Sequence, residues 1–87
     1  MISNKGKNMN IKILGTGCAK CTALEKKVRE LVNNNNIEAE VEKVTDLQEI
    51  MKYGIMMTPG LVINEKVLSY GSIPKDSQIL DWIKGAL

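Results

Sequence analysis

Between Ile11 and Val44 the hydrophobic period changes twice, and no other feature of the chain constrains its fold as much. Ile11–Leu14 (IKIL) is a short β-type run that ends at Gly15-Thr16-Gly17. From Cys18 onward Cys21, Leu24, Val28 and Leu31 recur at three- and four-residue intervals, while Lys20, Lys26, Lys27 and Glu30 fall mainly on other faces. This spacing predicts an amphipathic helix that starts at or just after Cys18 and ends in the Asn run at 33–36. Ile37–Val44 then alternates, with Ile37, Ala39 and Val41 on one side and Glu38, Glu40 and Glu42 on the other. It reads as a strand with one solvated face, suited to the edge of a sheet. A strand, a crossover helix and a second strand in this order place the two strands side by side and parallel, through a right-handed connection.

The remainder follows the same grammar. Thr45 or Asp46 caps a second helix, and Gln48 or Glu49 completes a capping-box pattern. Leu47, Ile50 and Met51 are its expected buried stripe, and Gly54 its C′ stop. Leu61–Ile63 and Val67–Tyr70 are strands of a hairpin that turns at Asn64-Glu65-Lys66. A last helix beginning between Pro74 and Ser77 carries Ile79, Leu80, Ile83 and Leu87. The order β-α-β-α-β-β-α predicts an α/β fold with a four-stranded mixed sheet and helices on both faces. Residues 1–9 are expected as a disordered leader and residues 10–87 as a single domain. With 87 residues there is room for one small domain and no large substrate domain.

Composition excludes whole classes of chemistry. There is no histidine, so a Cys–His nucleophile pair, a His-ligated zinc site and a Ser–His–Asp triad are all impossible. Two cysteines make neither a four-sulfur metal site within one chain nor a multi-disulfide scaffold. Lys5 and Lys7 account for the excess of 12 basic over 10 acidic side chains, so from Met9 onward the chain is neutral. No nucleic-acid partner and no basic membrane-binding face follow from that balance. No apolar run is long enough to span a membrane, and Met1 to Asn10 lacks the apolar stretch of a secretory signal. The expected compartment is the cytoplasm, and the expected state is a monomer.

The two cysteines, Cys18-Ala19-Lys20-Cys21, stand where the first strand's loop becomes a helix. In open α/β sheets the functional crevice lies beyond the carboxyl ends of the strands, and this loop is at that position. Three residues apart at a helix start, two sulfurs come within bonding distance with little backbone movement. Free N–H groups and the helix dipole stabilise an anion at the first of them, which lowers a thiol's pKa. Lys20 adds a mobile, salt-screened positive charge. Cys21 shares a stripe with Leu24 and Val28 and is the shielded partner. We read Cys18 as the attacking thiolate and Cys21 as the resolving thiol, exchanging through a mixed disulfide. The plainer reading, two small core residues, fits Cys18 poorly, because Cys18 follows a turn rather than lying on an apolar face.

Thr58-Pro59 opens the third strand, where proline belongs because it cannot donate to the ladder. On local sequence its peptide bond is expected to be trans, since only about 5–6% of such bonds are cis. Met56 and Met57 beside it offer a soft apolar platform for a substrate. Met51 and Met56 are expected to fill the core and Met57 to lie at the surface. Tyr53 and Trp82 are read as packing residues.

Taken together, Cys18-x-x-Cys21 after the first strand, Thr58-Pro59 opening the third, a hairpin and a closing helix resemble the minimal thioredoxin fold. Gly15 to Cys21 (GTGCAKC) with Asp46 to Gly71 (DLQEIMKYGIMMTPGLVINEKVLSYG) resembles the small redox-active disulfide protein 2 family of thioredoxin-like proteins. The similarity covers Met9 to Leu87. The resemblance implies a thiol–disulfide oxidoreductase that exchanges with a protein disulfide or dithiol and is served by a reductase. It implies no cofactor beyond the Cys18–Cys21 disulfide and no metal. It also implies that Pro59 is cis and packs beside Cys18, with the Thr58 backbone pairing with a substrate segment.

The chain departs from typical thioredoxins in three places. Ala19-Lys20 replaces Gly-Pro, Gly17 stands where they have tryptophan, and Ile11–Leu14 holds no acidic proton acceptor. Glu25, one turn beyond Cys21, is either a substitute acceptor or a solvated residue paired with a lysine, and the second is expected.

Two other functions compete: a soft-metal carrier for Cu(I) or zinc, and a non-catalytic redox-sensing interaction module. Small carriers of that kind end in a strand, in the order β-α-β-β-α-β, and usually have methionine where Thr16 stands. Selective alkylation across pH is expected to return a Cys18 pKa below that of free cysteine. A value at or above that reference removes the helix-terminus argument.

Overall fold

The computed structural model describes residues 9–17 and 19–86. Residues 1–8 of the leader expected over 1–9 lie outside the described residues, as does Leu87. Met9 does not belong to that leader: it opens the first strand and is buried, one residue before the expected domain boundary. The elements run β1 (Met9–Leu14), α1 (Ala19–Asn34), β2 (Ala39–Val44), α2 (Leu47–Lys52), β3 (Gly60–Ile63), β4 (Lys66–Tyr70) and α3 (Asp76–Gly85). The sheet order is β2-β1-β3-β4. β1 and β2 are parallel, from Met9↔Ala39 to Leu14↔Val44, while β1 with β3 and β3 with β4 are antiparallel. The expected α/β class, element order and mixed sheet are therefore present, with the carboxylate-rich β2 at an edge.

Alternation along the central strands builds two cores. Met9, Ile11 and Ile13 of β1, with Leu61 and Ile63 of β3, face Leu24 and Val28 of α1 and Ile79 and Ile83 of α3. Leu14 and Val62 point to the opposite face, where Ile50 of α2 and Ile55 cover them. Every residue of β3 is buried, as a central strand covered on both faces requires. Each fully buried isoleucine or leucine contributes about 1.5–3 kcal/mol of transfer free energy, so the larger core dominates stability.

Local signals set most boundaries. The Asp46 carboxylate accepts from the Gln48 N–H at 2.8 Å and caps α2. Gly54, at φ +76, ends it. No reciprocal capping box completes the pattern, because Glu49 pairs with Lys52 instead (3.1 Å). The expected α2 stripe is corrected: Ile50 is buried, but Leu47 and Met51 are 61% and 63% exposed. A helix of only six residues presents little more than one side chain to the sheet. Met56, expected in the core, is 92% exposed. Among the described residues no helix is long and apolar enough to cross a membrane.

The hairpin turn is one residue tighter than the sequence suggests. Asn64 and Glu65 alone connect β3 to β4, at φ +52 and +69, a geometry with positive φ at both central positions. Glutamate is a poor residue for that conformation. A polar cluster compensates: the Lys12 ammonium donates to Glu65 Oε2 (2.8 Å) and to the Tyr53 hydroxyl (3.0 Å), and that hydroxyl donates to Glu65 Oε1 (2.8 Å). Tyr53 is thus a polar tie between the end of α2, β1 and the hairpin, not only a packing residue.

The cluster makes stability depend on pH. The hydrogen bond from Lys12, then that from Tyr53, lowers the Glu65 pKa, and the same bonds to Glu65 and Tyr53 raise that of Lys12. A lowered carboxylate contributes stability above its unfolded pKa and loses it as pH falls through the folded value; a raised ammonium contributes below its unfolded pKa and loses it as pH rises through its folded value. Melting temperatures at low salt should therefore fall more steeply on acidification for the wild type than for Glu65→Gln. Added salt should shrink the difference, since Glu65 is exposed.

Candidate functional site

The carboxyl end of β1 leads into Gly15, Thr16 and Gly17, and α1 begins at Ala19. Cys18 lies outside the described residues, and so does its expected packing beside Pro59. Its flanks are described: Gly17 adopts φ +95, a conformation that L side chains rarely take, which turns the chain into the helix. Cys21 sits in the first turn of α1 and is 2% exposed, above Leu24 and Val28 on the same stripe. That is the shielded position its spacing predicts.

Gly15 is the residue against which Cys21 rests. A Cβ built on Gly15 would collide with the Cys21 sulfur and stand 2.8 Å from the Cys21 Cβ. The Gly15 N–H donates to the Val44 carbonyl at 2.9 Å, which ties the loop to the end of β2. Sequence reading used Gly15 only as a strand terminator. The available signal was that two glycines bracket Thr16 although one suffices for the turn.

The second segment is Tyr53 to Pro59. The Thr58–Pro59 peptide bond is cis, which corrects the trans expectation drawn from local sequence and agrees with the family resemblance. Pro59 is buried, Thr58 half-buried and Met57 60% exposed. The Pro59 carbonyl accepts from the Gly71 N–H at 2.9 Å, so the end of β4 holds this segment in place. Gly71 has φ +83 and packs against Met57, whose Cβ, Cε and Sδ would lie 3.4–3.5 Å from a Cβ placed there. Gly60, next along, leaves room for Ile55 and Leu14. Leu47, Met51, Met56, Met57 and Thr58 line a shallow groove of about 260 Å³ whose floor is Ile50 and Ile55.

Lys20 is exposed in the first turn of α1. The Glu25 carboxylate is engaged by Arg29 one turn on (3.0 Å) and by Lys43 of β2 at a longer 3.7 Å; its side chain is 19% exposed, so it is paired but not the solvated residue expected. Among the described residues no three metal-ligating side chains come together.

A family model described as a thioredoxin domain matches residues 9–84. The chain belongs to the thioredoxin family. It is similar to a thioredoxin of Methanothermobacter thermautotrophicus, 38% identical over 71 residues that cover 82% of this chain and 92% of that one. It is also similar to a thioredoxin of Methanocaldococcus jannaschii, 36% identical over 77 residues and 88% of each chain. Among solved structures, Fasciola hepatica thioredoxin shares the fold with TM-score 0.68 and 20% identity, covering 95% of this chain and 84% of that one. The germline-specific thioredoxin Deadhead of Drosophila melanogaster shares it with TM-score 0.66 and 15% identity, covering 91% and 81%. Family membership makes the chain a thiol–disulfide oxidoreductase at the general level, and these relatives establish the thioredoxin family rather than a narrower group within it.

The geometry around Gly71 is open to a direct check. Gly71→Ala forces an L side chain into φ +83 and should cost about 1–2 kcal/mol in denaturant unfolding. Gly85→Ala, in the exposed last turn of α3 with nothing near an added Cβ, is the control expected to be neutral or stabilising.

Proposed function

We propose that Cys18 and Cys21 form the redox pair and exchange disulfides with a protein partner through a mixed disulfide on Cys18. The observation that carries this reading is the burial of Cys21 in the first turn of α1, three residues after Cys18, in a chain of the thioredoxin family. A thiolate at the helix start is the nucleophile, and a shielded thiol one turn in is released to act only when a sulfur is bonded beside it.

In the reducing direction the Cys18 thiolate attacks one sulfur of the partner's disulfide. A Cys18–partner bond forms, the partner's S–S bond breaks, and one partner thiolate leaves. The Cys21 thiolate, its proton lost to solvent, then attacks the Cys18 sulfur, forming the Cys18–Cys21 disulfide and releasing the second partner thiolate. Two electrons pass to the partner, and a reductase returns the pair to dithiol. The same steps run backward oxidise a dithiol. No cofactor is needed beyond the disulfide, and the protein acts as a monomer in the cytoplasm.

The partner segment lies along the Thr58 backbone beside Pro59, pairing as an added strand does. Met57, with Met56, Met51 and Leu47, provides an exposed apolar platform beside it, and flexible thioethers adapt to varied apolar side chains. Lys20 adds positive charge near the attacking sulfur. The metal-carrier alternative suits this chain less well, because its described elements run β-α-β-α-β-β-α, with a helix between the second and third strands where such carriers join them directly.

Trapping distinguishes the readings. Cys21→Ser should accumulate a mixed disulfide on Cys18, visible by non-reducing electrophoresis and mass spectrometry, while Cys18→Ser should reduce disulfide turnover to background. Tight Cu(I) binding by the wild type, with no reducible intramolecular disulfide, would instead support the carrier.

A further inference from the structure

We infer that Gly15 is a positioning residue for the second half of the exchange: its missing side chain is the space in which the Cys21 sulfur sits when it attacks Cys18. The inference rests on the exchange chemistry proposed above and goes beyond it by naming what holds the resolving sulfur.

Three observations carry it. A Cβ on Gly15 would overlap the Cys21 sulfur and approach the Cys21 Cβ to 2.8 Å, closer than side chains come without something moving. What would have to move is not the free end of a long side chain but a two-atom side chain fixed to the first turn of α1 and buried to 2% exposure. The Gly15 backbone is itself tied, its N–H bonded to the Val44 carbonyl at 2.9 Å, so a retreat would stretch that bond.

The backbone supplies the deciding contrast. Gly17, Gly54 and Gly71 have positive φ and are glycines for conformational reasons, whereas Gly15 does not. Gly15 lies outside the positive-φ region, so what an added side chain meets there is the contact with Cys21. A methyl group there displaces the sulfur from the place it occupies in the first turn of α1. An error of about 1 Å in a reacting atom slows an intramolecular displacement by up to roughly 100-fold. The first attack, made by Cys18 on an incoming disulfide, does not use the Cys21 sulfur and is unaffected.

Ellman's reagent, an aromatic disulfide that releases a coloured thiolate, reads the two steps separately. The reduced wild type should release one equivalent as the Cys18 thiolate attacks the reagent's disulfide to form a mixed disulfide, and a second as Cys21 attacks the Cys18 sulfur and displaces the remaining group. Gly15→Ala is expected to leave the first release within about twofold of wild type and to slow the second by about 10- to 100-fold. Equal rates for both releases in Gly15→Ala and wild type, or equal slowing of both, would overturn the inference.

A thermal-melt cycle covers the case in which the variant is poorly folded. The fall in melting temperature caused by Gly15→Ala should shrink when Cys21→Ala has removed the sulfur, and an undiminished fall also overturns it. A wild type that gives no second release, or a Cys18→Ser variant that keeps the first, refutes the exchange reading itself. A wild type that completes both releases alongside an unaffected Gly15→Ala refutes only the role of Gly15.

Discussion

Strand β1 sends alternate side chains into two separate cores, and the rest of the molecule is arranged by that division. Met9, Ile11 and Ile13 anchor the face shared with α1 and α3, and Leu14 anchors the face under α2. A strand buried on both sides cannot slip by one residue without exchanging the two sets, so its register is strongly specified. The register fixes where β1 ends, and with it the loop that delivers the chain into α1.

That loop and the segment before β3 meet at the same end of the sheet, since Leu14 pairs with Gly60. Both segments are carried by rigid elements: Cys21 belongs to a helix packed on the larger core, and Thr58–Pro59 leads into a fully buried strand. Backbone bonds from Gly15 to Val44 and from Gly71 to Pro59 hold both segments from their far sides. Gly15 and Gly71 each pack closely, against Cys21 and Met57, so the surroundings leave an added side chain little room.

The opposite end of the sheet is organised by charge rather than by apolar contact. Lys12 lies on the α2 face of β1, where an unpartnered ammonium would be costly, and its bonds to Tyr53 and Glu65 satisfy it. In return the cluster holds a glutamate in a turn conformation it would otherwise avoid. A lysine in the middle of an apolar strand was the visible sign that a partner had to arrive from elsewhere, but its partners are 41 and 53 residues away.

Sequence by itself determined the element order, the parallel β1–β2 pair, a cap at Thr45 or Asp46, the stop at Gly54 and the shielded place of Cys21. Each depends on short-range periodicity or on a backbone preference local to a few residues. Tertiary structure alone decided which apolar residues are covered: Leu47, Met51 and Met56 carry the hydrophobicity of core residues, yet the short α2 buries only Ile50. It also decided the cis bond at Pro59, the Lys12–Tyr53–Glu65 cluster and the contact between Gly15 and Cys21. Those features depend on which surfaces approach one another across the sheet, and periodicity along a chain carries no information about that distance.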